Sequence, residues 1–193
     1  MPFYDIYSED VRCGRGASKS GEETKTAEVF AGDEVGFVVG RSAMEPLEPH
    51  LIYHNGPGQV YLSQSTAADV REYEGDGNWF KISYHGPTND SWWSTRDQTG
   101  MNFTIPDSTP PGQYLLRVEH LYVRYPIGTT QFYIACAQIN VRPPRNGTVG
   151  AKTPSPEYMV RFPGGLAVPE YMYEWPNTRL TEYKPPGPAL WTG

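Results

Sequence analysis

The sequence predicts an all-β protein, and three observations carry that prediction. Twenty glycines and nineteen prolines punctuate the 193 residues, and both residue types end regular structure and make turns. Aromatic residues reach 13% and cluster with β-branched ones in short runs, as in half-buried strands. Strong helix formers are few, which argues against a bundle. A β-rich chain of this length can bury one sizeable core without dividing, so a single domain over 1–193 is expected.

Each element follows from local pattern. "TKTAEVFAGDEVGFVVG" (24–40) alternates apolar and polar residues around Gly32-Asp33 and reads as a hairpin. "HLIYHNGPGQVYLSQ" (50–64) supplies two short extended pieces around Asn55-Gly56-Pro57. "STAADVREYEG" (65–75) has a helix start at Ser65 or Thr66 and a stop at Gly75, predicting one short helix. "NWFKISY" (78–84) and "GMNFTIP" (100–106) read as strands, the second stopped by Pro106. "YLLRVEHLYV" (114–123) and "QFYIACAQINV" (131–141) are the two longest strands, and they should pair in the middle of the sheet. The Pro-, Gly- and Tyr-rich remainder contains Tyr158, Phe162, Tyr171, Tyr173, Trp175, Tyr183 and Trp191. Aromatics at that density predict a segment wrapped over the strands, since disordered segments are aromatic-poor.

The formal net charge is −6, and no Lys/Arg cluster offers a face to a phosphate backbone, so nucleic acid is excluded as a partner. No apolar run approaches the roughly 18–20 residues of a membrane-spanning helix, so no membrane partner is expected either. "MPFYDIYSEDVRC" has neither the basic nor the apolar region of a signal peptide. Two other features point to an oxidising, extracellular setting. Cys13 and Cys136 could close a long loop worth roughly 4–5 kcal/mol, although two buried thiols fit the sequence as well. Asn89, Asn102 and Asn146 each begin an Asn-x-Ser/Thr acceptor for a secreted protein's glycans.

His50 and His54 are four apart. In extended chain that is roughly 13 Å at ~3.3 Å per residue, too far to share one ion. Zinc motifs, nucleophile elbows and phosphate or dinucleotide loops are absent, which sets aside hydrolase, kinase and dehydrogenase readings. Arg117 and Glu119 read as an ion pair within a strand, since no second carboxylate is placed for glycoside hydrolysis. Taken alone, His54 is an ordinary turn histidine.

Four stretches in order change that reading: "YHNGPGQVYL", "NWFKI", "IPDSTPPGQYLLRVEHL" followed by "QFYIACAQINV", and "PPGPALWTG". Together, over about residues 7 to 193, they resemble the fungal lytic polysaccharide monooxygenases of auxiliary activity family 9, formerly glycoside hydrolase family 61. The resemblance implies an immunoglobulin-like β-sandwich with long loops and a C-terminal wrapping segment. It implies a secreted monomer that cleaves cellulose or a related β-1,4-glucan oxidatively, with one copper ion and an external electron donor. His54-Asn55-Gly56-Pro57 matches the turn that carries one copper-binding histidine, because a rigid Gly-Pro corner fixes the direction of the imidazole lone pair. Tyr133 matches the axial tyrosine, and Gln131 the glutamine that hydrogen-bonds oxygen at the copper. Tyr183 matches a surface aromatic that stacks on sugar rings, and Cys13 and Cys136 match a disulfide. His85 and His120 fall on no family position and read as structural.

The chain departs from the family in two ways. It begins with Met-Pro shortly before Cys13, so it lacks the family's N-terminal strand and the N-terminal histidine that completes the copper brace. Arg124 stands where the family places a histidine beside the copper, and a guanidinium can neither ligate a metal nor relay protons. The expectation is weak copper binding and no activity as written, from a truncated or divergent member. The alternative is a non-catalytic, polysaccharide-associated or cell-wall protein on the same fold.

Overall fold

The computed structural model describes residues 2–40, 50–124, 127–147, 149–165 and 179–193. Ten strands form among these: β1 (Thr26–Phe30), β2 (Glu34–Val38), β3 (Gly58–Gln64), β4 (Trp79–His85), β5 (Pro87–Asn89), β6 (Trp92–Trp93), β7 (Gly100–Thr104), β8 (Gly112–Tyr122), β9 (Gln131–Arg142) and β10 (Met159–Val160). Six of them make the main sheet, in the order β1-β9-β8-β3-β4-β10, and β2 with β7 makes a second one. β5 and β6 form a separate small ribbon. The fold is an all-β, immunoglobulin-like sandwich.

β8 and β9 pair antiparallel along their whole length, and β8 also pairs β3. Because side chains alternate across a strand, Tyr114, Leu116, Val118 and His120 of β8 face the β2–β7 sheet, and Leu115, Arg117, Glu119 and Leu121 face the other way. Both faces are buried. On the first, Leu116 and Val118 pack with Leu62, Phe80, Phe103, Ile105 and Ile139, each apolar side chain contributing roughly 1.5–3 kcal/mol. On the second, Leu115 and Leu121 pack with Tyr61, Trp79, Phe132 and Phe162 under the N- and C-terminal segments.

That second core carries the charged pair read from the sequence. Arg117 and Glu119 are fully buried, with Arg117 Nη2 2.7 Å from Glu119 Oε2. The guanidinium also donates to the carbonyls of Val11 and Arg12 and lies 4.4 Å from the Phe162 ring centroid. Gln59 donates to the other carboxylate oxygen at 2.8 Å. A buried charge is tolerated only when paired and hydrogen-bonded in this way. One ion pair thereby joins the N-terminal segment, two central strands and the C-terminal tail.

Three local expectations are corrected. Residues 24–40 are not a hairpin: β1 pairs parallel with β9 in the main sheet, while β2 pairs with β7 in the other. The turn at Gly32, at φ 89°, therefore crosses the sandwich, held by Gly32 N–H to Ile105 O and Ala31 N–H to Arg142 O. Of the two pieces around Asn55-Gly56-Pro57, only β3 is a strand. Residues 50–54 instead exchange main-chain hydrogen bonds with Asp97 and Gln98 through Ile52. The 65–75 helix is a single 3₁₀ turn at Val70–Glu72, capped by Asp69. The wrapping tail is as expected where described, with Phe162 and Trp191 buried and Trp191 N–H bonded to Lys81 O. Tyr171, Tyr173 and Trp175 lie outside the described residues.

Candidate active site

Two adjacent cross-strand pairs near one end of the central strands lay the floor of a site. His120 of β8 pairs with Tyr133 of β9, and Tyr122 pairs with Gln131. Period-2 alternation puts all four on one face. Over them sits the turn bearing His54. A side chain at Gly56 would collide with the carbonyl of Leu121, so only glycine lets this turn lie so close to β8. The turn is pinned from both sides: Leu121 N–H donates to Pro57 O at 3.0 Å, and the buried Thr95 hydroxyl donates to Gly56 O at 2.6 Å.

The His54 ring consequently lies flat on Tyr122, with centroids 4.2 Å apart and planes 6° apart, and 5.8 Å from the Tyr133 ring. Burial, and then the positive charges of Arg96 and Arg124, depress the pKa of His54 below its usual value. A neutral imidazole with a free lone pair is the form a metal requires. The Tyr133 hydroxyl donates to Gln131 Oε1 at 2.6 Å. Burial, with Tyr4 and Tyr122 nearby, raises its pKa, so it stays a neutral phenol. His54, Tyr133 and Gln131 are therefore brought together.

Tyr122 and Arg96 join the site without a signal in the sequence, and His120, expected to be structural, lies beside it. His120 is buried beside Tyr133, with ring centroids 6.0 Å apart. The carbonyls of Pro57 and His54 slightly favour its protonation, yet neither reaches hydrogen-bond geometry, and both ring nitrogens are without a partner among the described residues. Its signal lay in the two-residue alternation that puts positions 120 and 122 on one face. His120, His54, Tyr53, His50 and Tyr133 line a mostly apolar cleft of about 460 Å³, together with Phe37, Met101 and Val118. Arg124 is exposed, its guanidinium carbon 5.5 Å from the Tyr122 ring centroid.

Tyr183 departs from the sugar-stacking role implied for it. It is 8% exposed and packs edge-on against Trp93, with centroids 5.3 Å apart. Asp90 accepts hydrogen bonds from Arg179 and Thr181, which fixes the preceding turn and aims Tyr183 inward. Cys13 and Cys136 form a disulfide. Asn89, Asn102 and Asn146 are exposed.

The donor set fits one side of a copper centre. His54 offers a neutral nitrogen and Tyr133 an oxygen, whereas no group of three His, Cys, Asp or Glu side chains converges among the described residues.

The profile of auxiliary activity family 9, formerly GH61, matches residues 1–181. The chain is 40% identical to AA9 family lytic polysaccharide monooxygenase U of Thermothielavioides terrestris, aligned over 100% of this chain and 76% of that protein. It is 38% identical to monooxygenase C of Emericella nidulans, over 100% and 79%. Among solved structures it superimposes on that of HiLPMO9B with a TM-score of 0.79 at 26% identity, covering 100% of this chain and 84% of that one. A polysaccharide monooxygenase from M. thermophila shares the fold at TM-score 0.76 and 24% identity, over 100% and 84%. The chain belongs to auxiliary activity family 9, the copper-dependent lytic polysaccharide monooxygenases that cleave polysaccharides oxidatively.

Proposed function

We propose that this chain acts on cellulose or a related β-1,4-glucan through a copper ion held by His54 and Tyr133, using electrons from an external donor. The carrying observation is the neutral His54 imidazole, stacked on Tyr122 beside a Tyr133 hydroxyl that is already oriented by Gln131. Copper, when bound, supplies the one-electron chemistry that activates an oxygen-derived oxidant. His54 directs a nitrogen lone pair from a rigid corner, and Tyr133 presents the second lone pair of an oxygen whose proton is committed to Gln131. The Gln131 amide N–H₂ remains to donate toward an oxygen nearby. The cleft that His54 helps to line is mostly apolar.

Two donors hold copper weakly, since soft or borderline ions are retained by three or more directed ligands. The described residues alone therefore give low affinity and little turnover, and at least one further nitrogen donor restores both. The setting is extracellular and the protein monomeric, with the disulfide closed and glycans on Asn89, Asn102 and Asn146. One observation favours a second reading. Arg124 sets a permanent positive charge beside the site, as suits a polysaccharide-binding protein that has given up redox chemistry.

Copper titration followed by electron paramagnetic resonance tests the first reading. Weak one-to-one binding, with one imidazole nitrogen coupled to the copper and lost in His54→Ala, is expected. Binding unchanged by His54→Ala overturns it.

A further inference from the structure

Arg96 and Arg124 both carry their charge close enough to His54 to lower its pKa, and each is tied to an element that holds the His54 ring or its turn. Arg124 is anchored through its main chain: its N–H donates to the buried Thr130 hydroxyl at 3.1 Å, and that hydroxyl donates to its carbonyl at 3.0 Å. Its exposed guanidinium lies over Tyr122, on which His54 is stacked. No described carboxylate comes within ion-pair distance of it. Arg96 lies between two residues that hold the His54 turn, Thr95 bonding Gly56 O and Asp97 N–H bonding Ile52 O. Its side chain is 32% exposed and meets the Asp97 carboxylate at 3.0 Å through Nε.

We propose that Arg96 and Arg124 form a carboxylate-binding pair, and that the polysaccharide taken at this face carries uronate groups. This rests on the polysaccharide reading of the same site and sets an acidic chain in place of the neutral glucan. The planar guanidinium fork matches a carboxylate with two parallel hydrogen bonds. A neutral glucan offers it only hydroxyls and leaves the charge of Arg124 uncompensated. The formal net charge of −6 repels a polyanion at a distance. Retention therefore comes from the local pair and weakens as salt is added.

The test is binding of soluble fragments to the full chain without copper, followed by calorimetry and NMR. The fragments are oligogalacturonate, with uronates in the backbone, and glucuronate-substituted xylo-oligosaccharide, with uronates as side groups. Unsubstituted xylo- and cello-oligosaccharides are the neutral controls. One or both acidic fragments should bind about tenfold more tightly than the neutral ones, and which of them does so identifies the source of the carboxylate. Arg96→Gln with Arg124→Gln should abolish the preference, Arg124→Lys should restore part of it, and Arg145→Gln, on a distant surface pair with Asp33, should leave it intact. All three arginines expose their side chains, so unchanged melting curves verify that the variants fold. Acidic and neutral fragments binding alike, or a preference that survives the double variant, overturns the proposal and leaves the polysaccharide reading standing. Binding of no fragment at all overturns both. Failure to bind copper overturns the oxidative chemistry alone and leaves the uronate preference to the binding data.

Discussion

Burial pushes the imidazole of His120 down to about 4, and His54 adds a smaller push in the same direction. In the unfolded chain the same group titrates near 6.5. Between those values the unfolded state takes up a proton that the native state refuses. The sign follows directly: stability present above about pH 6.5 is lost as pH falls toward 4, by about 3 kcal/mol. Carboxylates with lowered pKa, such as Glu28 and Asp90, titrate below most of that window. Urea unfolding at neutral and mildly acidic pH should thus show wild type losing more stability than His120→Gln, and parallel losses would refute the assignment. Tyr183 gives a second prediction. Its hydroxyl is buried without a partner among the described residues, so Tyr183→Phe should leave stability unchanged or raised, whereas Tyr183→Ala should cost about 3–5 kcal/mol in thermal or chemical denaturation. These residues also mark what the sequence could reveal. The Gly-Pro corner behind His54 was legible because few chemistries need so rigid a turn. The inward aim of Tyr183 was not, because an aromatic in a proline-rich tail looks the same whether it meets a sugar or Trp93.

β8 and β9 were legible as paired central strands because long β-branched and aromatic runs, consecutive in the chain, have few other ways to satisfy their main-chain groups. The 24–40 segment misled for an equally physical reason. Alternating residues on either side of a glycine turn serve a hairpin and a crossing between facing sheets alike, and the choice depends on partners more than sixty residues away. The contact of His120 with Tyr133 likewise had to wait for the β8–β9 register. Within β8, the Arg117–Glu119 pair yields a prediction about the strand's neighbours. Glu119→Leu leaves a buried guanidinium without its counter-charge and should cost about 3–5 kcal/mol in chemical denaturation. Because Arg117 also holds the Val11 and Arg12 carbonyls and the Phe162 ring, amide exchange should accelerate in both terminal segments. Acceleration confined to β8 would show that the pair serves its own strand only. Arg145→Gln, at an exposed ion pair, should leave the unfolding midpoint where it was.

Across the whole molecule, two sheets and two terminal segments share one covalent closure. The Cys13–Cys136 disulfide spans a sequence separation of 123 residues, and it ties the N-terminal segment to the strand opposite Arg117. Cys136→Ser should lower unfolding free energy by about 2–5 kcal/mol, measured as a shift in denaturation midpoint relative to the oxidised protein; a shift near zero would mean that the denatured chain is compact without the bond. The same closure governs how the protein withstands damage. Every strand from β1 to β8 lies inside the ring, so a protease that cuts the backbone once between those cysteines opens a circle without freeing a fragment. A singly nicked molecule keeps its mass, travels as one band until a reductant is added, and retains its pieces at high effective concentration for re-closure.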